Sequence, residues 1–163
     1  MREHILYLLL GSNLGDKKNQ LDLVIGLISQ QIGEVIKKSS YYETEPWGFI
    51  SEDDFLNIAL KVLTTLPPDE VMKKIHELEK TFGRERLTQG YSSRPMDIDI
   101  LFYDDLIIDQ ETLKIPHPRI QERRFVLIPL LEIAPELCHP ITGKSIKVLL
   151  DECKDTNTVA KLN

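Results

Sequence analysis

The chain has 163 residues, of which 42% are apolar and 28% are charged, and its net charge is −6. This length suits one domain with a real hydrophobic core, so we expect residues 1–163 to fold as a single domain. An acidic chain binds phosphate groups only through local clusters of arginine, which argues against general binding to nucleic acids or to anionic membranes.

The first predicted element is a buried strand over Ile5–Leu10, a nearly continuous apolar run bounded by Gly11. The run is too short for a membrane span, and it lacks the long apolar region and cleavage site of a signal peptide. The two cysteines form no C-x-x-C pair. These features favour a cytoplasmic protein with reduced thiols.

A helix and a second strand are predicted next. Apolar residues from Leu21 to Ile32 recur at helical spacing, and Gly33 is the expected end of that helix. Val35–Tyr42 is rich in β-branched and aromatic residues at its ends, so it is predicted as a strand. Residues 43–54 are predicted to form a loop.

Strict alternation over residues 55–65 predicts a third strand, with Leu56 and Ile58 on one face and Phe55 and Asn57 on the other. Pro67–Pro68 then opens a helix that extends to Phe82 along an apolar stripe. Residues 83–95 are predicted to form a polar, basic loop.

The last predicted elements begin with a strand over Met96–Tyr103, in which Phe102 is expected on the same core-facing side as Ile98. A small hairpin is expected from Leu106–Asp109 and Leu113–Ile115, and a helix over Gln121–Ile133 is expected to be interrupted near Pro129. The order β-α-β-β-α-β, with additional elements after it, predicts an α+β fold with a ferredoxin-like core.

The sharpest chemical signal is Asp97-Ile98-Asp99 within the last predicted strand. Because side chains alternate along a strand, both carboxylates point to one face, with Cα atoms about 6.6 Å apart. Two neighbouring carboxylates repel each other, and a hard divalent cation removes that conflict. A solvated polar strand face is the competing interpretation of this motif taken alone.

Arginines surround this strand in an otherwise acidic chain. Guanidinium groups bind phosphate oxygens bidentately and stay charged at any working pH, so a metal combined with an arginine clamp is the usual equipment for phosphoryl-type transfer. Each arginine taken singly is equally compatible with an ordinary salt bridge. The clustered residues are Arg84, Arg86, Arg94, His117, Arg119, Arg123 and Arg124.

Two other local patterns carry less weight. Thr142–Ser145 resembles the end of a phosphate-binding loop, but the first glycine of that motif would fall at Cys138, so the motif fails. The loop that contains Thr44 and Trp47, together with Phe55 and Asn57, has the aromatic and amide groups that a flat heterocycle requires.

The motifs together resemble the 6-hydroxymethyl-7,8-dihydropterin pyrophosphokinase family over almost the whole chain. The R-x-x-D-x-D core and the P-H-P…R-x-F-x-L-x-P-L run are jointly specific. The matching segments are Gly11–Leu14, Tyr42–Gly48, Phe55–Asn57, Gly83–Arg86, Arg94–Ile100, Pro116–Pro118 and Arg123–Leu130.

The resemblance implies an α/β sandwich built on the ferredoxin-like core, and it implies roles for single residues. Asp97 and Asp99 would hold two Mg²⁺ ions, and the loop 83–95 would close over both substrates. The ATP site would comprise Glu79, Arg84, Arg86, Arg94, Ile100, His117 and Arg123, with Arg84 and Arg94 also catalytic. The pterin would lie between Phe55 and Phe125, with Thr44, Asn57, Pro46 and Trp47 at its edge.

The chain departs from the family pattern in the predicted loop 83–95. Ser92-Ser93 stands where a Gly-Pro pair is common, and Gly90-Tyr91 stands where an arginine and a tryptophan are common. Phe55 occupies a position at which tyrosine is common. These departures affect the expected loop closure and leave the predicted metal ligands in place.

The implied reaction is in-line attack by the pterin hydroxymethyl oxygen on the β-phosphorus of ATP, with AMP leaving in a step of folate biosynthesis. A nucleotidyltransferase is the alternative enzyme and would release pyrophosphate instead. A ferredoxin-like sensor is the alternative without chemistry and would bind ATP without consuming it. A monomer is expected, since no interface is evident.

Overall fold

The computed structural model describes residues 2–13, 16–44, 55–82 and 96–162. These residues form a central antiparallel sheet, a small hairpin, four helices and a short 3-10 helix. In chain order the elements are β1 (His4–Ser12), α1 (Lys17–Gln31), β2 (Glu34–Lys38), β3 (Tyr42–Thr44), β4 (Phe55–Thr64), α2 (Pro68–Thr81), β5 (Asp97–Tyr103), β6 (Ile108–Asp109), β7 (Lys114–Ile115), the 3-10 helix (Ile120–Glu122), α3 (Arg124–Ile133), α4 (Ile146–Glu152) and β8 (Val159–Lys161).

The main sheet has the strand order β5-β1-β4-β3-β8, and β2 pairs with the distal part of β4. Strand β4 therefore separates β1 from β2, and β1 separates β4 from β5. Each β-α-β unit thus spans an intervening strand, which is the ferredoxin-like arrangement. The predicted fold is confirmed, as is the small hairpin, which pairs β6 with β7.

Local signals explain where the first two helices begin and end. The Asp16 carboxylate caps α1 by accepting the backbone N–H of Asn19 at 3.3 Å, and the backbone N–H of Gly33 bonds back to the carbonyl of Ile28 at 3.1 Å. Helix α2 has Pro68 in its first turn and acidic residues beside it, both favourable at a helix N-terminus. The predicted boundaries of both helices hold to within a few residues.

The sheet separates two hydrophobic cores. On one face, α1 and α2 pack against Leu6, Leu8 and Leu10 of β1. On the other face, α3 and α4 pack against Tyr7 and Leu9 of the same strand. Because alternate side chains of one strand enter different cores, a helix layer covers each face of the sheet, which is the predicted sandwich. No helix in the described part of the chain is both long and apolar enough to cross a membrane.

One face assignment in β5 is wrong. Ile98 and Ile100 face α1 and α2 as predicted, but Phe102 lies in the opposite core, and Tyr103 lies on the side that was predicted for Phe102. The cause is a bulge: Leu8 pairs with Ile100 while Tyr7 pairs with Phe102, so Leu101 is an extra residue in β5. One extra residue reverses the faces of everything that follows it.

The predicted strand Val35–Tyr42 is also wrong, because it is divided into β2 and β3. At the break, the backbone N–H of Ser39 donates to the carbonyl of Ala59, and the Ser39 hydroxyl accepts the N–H of Ala59, both at 2.9 Å. A side-chain oxygen thus replaces a backbone acceptor and releases the chain from the ladder. Glu43 and Thr44 of the predicted loop 43–54 belong to β3, and residues 45–54 lie outside the described residues.

The predicted interruption at Pro129 does not occur. Helix α3 runs through this residue, and the 3-10 helix Ile120–Glu122 precedes it. Proline removes one helical hydrogen bond, but Leu127 and Leu130 on the same helix are fully buried. The apolar packing on both sides of Pro129 offsets that loss.

Candidate active site

Four residues from four adjacent strands form one row across the sheet. Asp97 of β5 pairs with Gly11 of β1, Gly11 pairs with Asn57 of β4, and Asn57 pairs with Tyr42 of β3. Directly paired residues point to the same face of a sheet. This row therefore lies on the face covered by α3, together with Asp99, which pairs with Leu9.

The two aspartates are half-buried and share this face, as the sequence predicts. They lie on β5, the strand at the edge of the sheet. Between them, the backbone N–H of Ile98 points to the open edge and donates to Glu79 Oε2 of α2 at 3.0 Å. Glu79 is only 3% exposed, so the predicted ATP ligand is also a buried support for the strand that carries both aspartates.

His117 lies close enough to this strand for its charge environment to include Asp97. The backbone N–H of His117 donates to the carbonyl of Leu101 at 3.1 Å, and its Nδ1 accepts the backbone N–H of Arg119 at 3.3 Å. Burial lowers the pKa of His117 below its ordinary value, as do Arg123 and Arg119, while Asp97 opposes the shift. The imidazole is therefore neutral at neutral pH and carries its proton on Nε2, where it is a hydrogen-bond donor.

A cleft of about 240 Å³ opens beside the open edge of β5. Asp99, Ile100 and His117, all predicted site residues, contribute to its lining. The other lining residues come from α2, β5 and the small hairpin region: Met72, Ile98, Glu111, Thr112, Leu113, Lys114 and Pro118. The cleft thus places a pocket of mixed polar and apolar lining directly next to one carboxylate of the pair.

The other end of the row is lined by buried polar atoms. Asn57 is 5% exposed, and its Nδ2 donates to the carbonyl of Leu10 at 3.3 Å. A Cβ atom at Gly11 would lie 2.7 Å from that Nδ2, so only glycine leaves room for the amide. The buried atoms Asn57 Oδ1 and Thr44 Oγ1 have no hydrogen-bond partner within the described residues. Buried polar atoms in this condition are suited to a polar ligand.

Two aromatic residues lie on the same side of the sheet as these polar atoms. Phe55 is half-buried and, as the first residue of β4, pairs directly with Thr44 at the end of β3. Phe125 lies in the first turn of α3, partly buried against the core on that face. The guanidinium carbon of Arg123 lies 5.6 Å from the centre of the Phe125 ring, within cation–π range. A predicted phosphate ligand and a predicted ring-stacking residue are therefore in contact.

Five predicted site residues lie outside the described residues. They are Arg84, Arg86 and Arg94 of the ATP site and Pro46 and Trp47 of the pterin site. The segment with Gly90, Tyr91, Ser92 and Ser93 lies outside them as well.

Sequence reasoning overlooked one group beside the site. Tyr42 donates from its hydroxyl to Glu132 Oε1 of α3 at 2.5 Å, and the backbone N–H of Ser40 donates to the same carboxylate at 3.0 Å. Burial raises the pKa of Tyr42 well above its ordinary value, and Glu132 adds to the shift. Burial opposes ionisation of Glu132, but the bonds from Tyr42 and Ser40 lower its pKa overall. No local motif marks Glu132, because its partners lie about ninety residues away in sequence.

Paired carboxylates, a neutral histidine donor and an arginine on one sheet face are the groups of an enzyme that transfers a phosphoryl-type group. The particular family follows from comparison. Residues 7–135 match the family model of 7,8-dihydro-6-hydroxymethylpterin-pyrophosphokinase (HPPK). The chain belongs to this family.

Individual relatives agree. A 2-amino-4-hydroxy-6-hydroxymethyldihydropteridine pyrophosphokinase of Aquifex aeolicus is 43% identical over 155 residues, which cover 94% of this chain and 92% of the relative. One from Porphyromonas gingivalis is 38% identical over 139 residues, which cover 83% of this chain and 94% of the relative. The predicted activity, pyrophosphoryl transfer from ATP to the hydroxymethyl-dihydropterin, is confirmed.

Solved structures support the fold. A crystal structure of Plasmodium falciparum HPPK-DHPS superposes with a TM-score of 0.78 and 18% sequence identity, covering 93% of this chain and 45% of that chain. At this identity the likeness concerns the fold alone.

Proposed function

We propose that pyrophosphoryl transfer takes place on the sheet face that carries Asp97 and Asn57, with the ATP phosphates at the aspartate end and the pterin at the asparagine end. The observation that carries this proposal is the shared row Asp97-Gly11-Asn57, which joins an acidic site to buried polar atoms that have no hydrogen-bond partner among the described residues. A transferase for two dissimilar substrates requires two such adjoining sites on one rigid surface.

Asp97 and Asp99 are proposed as ligands for Mg²⁺, two ions in all. The donor set fits this metal, because Mg²⁺ is typically held by one or two carboxylates and completes its shell with water and substrate phosphate oxygens. Among the described residues no group of three or more His, Cys, Asp or Glu side chains forms a closed metal site. When bound, the metal would neutralise charge on the phosphate oxygens.

The cleft beside β5 is proposed as the ATP pocket. Ile100 and the apolar lining provide a surface for the base, and Asp99 stands at the phosphate end. The Nε2–H of neutral His117 is a donor for a phosphate oxygen, and Arg123 adds positive charge. Glu79 holds the strand, and Arg84, Arg86 and Arg94 complete the predicted set.

The pterin is proposed to stack between Phe55 and Phe125. Asn57 Oδ1 and Thr44 Oγ1 would bind the polar edge of the ring, since each is buried without another partner in the described structure. The backbone of Pro46 and Trp47 is predicted to complete this edge. In this arrangement the hydroxymethyl group points along the row toward Asp97, where attack on the β-phosphorus of ATP would occur and AMP would leave.

The test is product formation by Asp97→Asn and Asp99→Asn variants supplied with ATP, Mg²⁺ and hydroxymethyl-dihydropterin. AMP release should fall by on the order of 10²–10³-fold or more in either variant, the scale of losing one electrostatic stabiliser of the transition state. Asp105→Asn is the control, because Asp105 is exposed in a turn beyond β5. Near-parental turnover in the Asp97 variant would exclude the proposed metal site, and release of pyrophosphate instead of AMP would indicate a nucleotidyltransferase.

We also propose that residues 1–163 act as one domain, as a monomer in the cytoplasm. One sheet shared by both hydrophobic cores supports the single domain, and the two thiols, Cys138 and Cys153, are free, which accords with a reducing compartment. Sedimentation analysis at several concentrations tests the monomer.

A further inference from the structure

Helix α3 has no cap of its own at the end that carries site residues. Arg123 occupies the N-cap position, and its side chain makes no capping hydrogen bond. The missing acceptor comes instead from Asp155, whose Oδ2 accepts the backbone N–H of Arg124 at 3.1 Å. Its other oxygen accepts the backbone N–H of Asn157 at 2.9 Å. One carboxylate thus caps α3 and fixes a turn in the C-terminal segment.

The same C-terminal segment continues to the opposite side of the proposed pterin pocket. Strand β8 pairs with β3, with Val159 directly opposite Thr44. Beyond the strand, the backbone N–H of Leu162 donates to the carbonyl of Tyr41 at 2.9 Å. Residues 155–162 therefore connect the first turn of α3 to the end of β3. This segment lies beyond residue 135, where the match to the family model ends.

We propose that Asp155 is a positioning residue for the pterin site, acting through the first turn of α3. The proposal rests on the proposed function, in which Phe125 stacks on one face of the ring and Thr44 binds its polar edge. Phe125 is the second residue of α3, so its backbone position depends on the cap directly before it. Without the carboxylate, the backbone N–H of Arg124 loses its acceptor and the turn is expected to fray, which displaces the Phe125 ring.

The rest of α3 should remain in place when Asp155 is replaced. Near the other end of this helix, Glu132 accepts hydrogen bonds from Ser40 and Tyr42, and Leu127 and Leu130 are fully buried. Loss of the cap therefore affects one turn and leaves the fold intact. The ATP cleft has its lining on other elements, among them Asp99 and His117, and Arg123 of the proposed ATP site precedes the turn, so ATP binding should be affected less than pterin binding.

The experiment compares Asp155→Ala with Asp151→Asn, a control in which the carboxylate is exposed on α4. Calorimetry measures the Kd for hydroxymethyl-dihydropterin and, separately, for a non-hydrolysable ATP analogue with Mg²⁺. Asp155→Ala should raise the pterin Kd about tenfold, the fold-change that corresponds to the free energy of one lost helix cap. It should raise the Kd of the ATP analogue less than about threefold. Amide hydrogen exchange should accelerate at residues 124–126, and Asp155→Asn, which keeps one acceptor oxygen, should lie between parent and Ala. The control should match the parent.

The outcomes separate this inference from the proposed function. Phe125→Ala is measured alongside; if it leaves the pterin Kd unchanged, the proposed pterin wall is wrong. If Phe125→Ala weakens pterin binding and Asp155→Ala does not, the positioning role is wrong. Equal weakening of both ligands by Asp155→Ala, together with a large fall in Tm, would show a general structural role and also overturn the inference.

Discussion

Replacing Gly11 with alanine tests the geometry of the candidate site most directly. The new Cβ would lie 2.7 Å from Asn57 Nδ2, whereas ordinary van der Waals contact begins at 3.4 Å, so the amide must move by about 0.7 Å. That displacement stretches the 3.3 Å bond from Nδ2 to the carbonyl of Leu10 beyond hydrogen-bonding distance. It also moves Oδ1, the proposed pterin ligand.

The magnitude follows from these changes. Loss of the hydrogen bond costs about 0.5–1.5 kcal/mol, and forcing Asn57 off its rotamer costs about 0.5–1.5 kcal/mol. Alanine restricts the unfolded chain more than glycine does, and this lower entropy of the unfolded state stabilises the folded protein by about 0.4–1 kcal/mol. The net destabilisation is therefore about 0–2.6 kcal/mol, and its midpoint of about 1.3 kcal/mol lowers Tm by about 3–5 °C in a chain of this size. The pterin Kd should rise about tenfold, because one buried hydrogen bond is misplaced.

Differential scanning fluorimetry and pterin calorimetry measure the two effects, and Gly26→Ala is the matched control. Gly26 is exposed in α1, and a Cβ there would meet no heavy atom of the described residues within 4 Å beyond the backbone of its own helix turns. The Gly26→Ala control should be more stable than the parent by about 0.5–1 kcal/mol and should bind pterin with the parental Kd. In an Asn57→Ala background the Gly11 substitution should have almost no further effect. A Gly11→Ala variant with the parental Tm and pterin Kd would refute the reasoning.

Further predictions concern the helix layer beside the site. Glu132→Gln should lower the free energy of unfolding by about 1 kcal/mol in urea titrations, a small effect because the side chain is exposed. Since the folded pKa of Glu132 lies below the ordinary 4.5, the parent should lose stability as pH falls through that region, and the Gln variant should lose less. His139 is 5% exposed, and burial lowers its pKa, so the unfolded chain takes up a proton first and stability should fall as pH drops below about 6.5. In a His139→Asn variant, the urea midpoint should change less between pH 7 and pH 5 than it does in the parent. Leu127→Ala, at a fully buried position, should lower the free energy of unfolding in urea titrations by about 2–5 kcal/mol.

Much of the fold could be predicted because alternation and helical spacing are local. Strand β4 and the stripe of α2 are examples, and the shared face of Asp97 and Asp99 follows from the two-residue repeat alone. The bulge at Leu101 could not be predicted, since it exists only in the pairing of β5 with β1. The break at Ser39 likewise depends on its partner Ala59, twenty residues away.

The site divides in the same way between local and long-range contributions. The carboxylate pair and the histidine between prolines were predictable as motifs. The neutral state of His117 was not, because it depends on burial and on Arg123 after the chain has folded. Asp155 carries no motif, and its partner Arg124 is 31 residues away, so its capping role is visible only in three dimensions.

The row Asp97-Gly11-Asn57 sets the separation between the two halves of the proposed site. Adjacent strands lie about 4.8 Å apart, so the backbones at Asp97 and Asn57 are about 10 Å apart. A gap of this size can hold a hydroxymethyl group and one phosphate group, placed between the edge of the pterin ring and an oxygen bound to the metal. Because three paired strands define it, closure of a loop cannot change it. Loop movements can therefore alter substrate exchange and shielding from water, while the reacting distance depends on the sheet and on the absence of a side chain at Gly11.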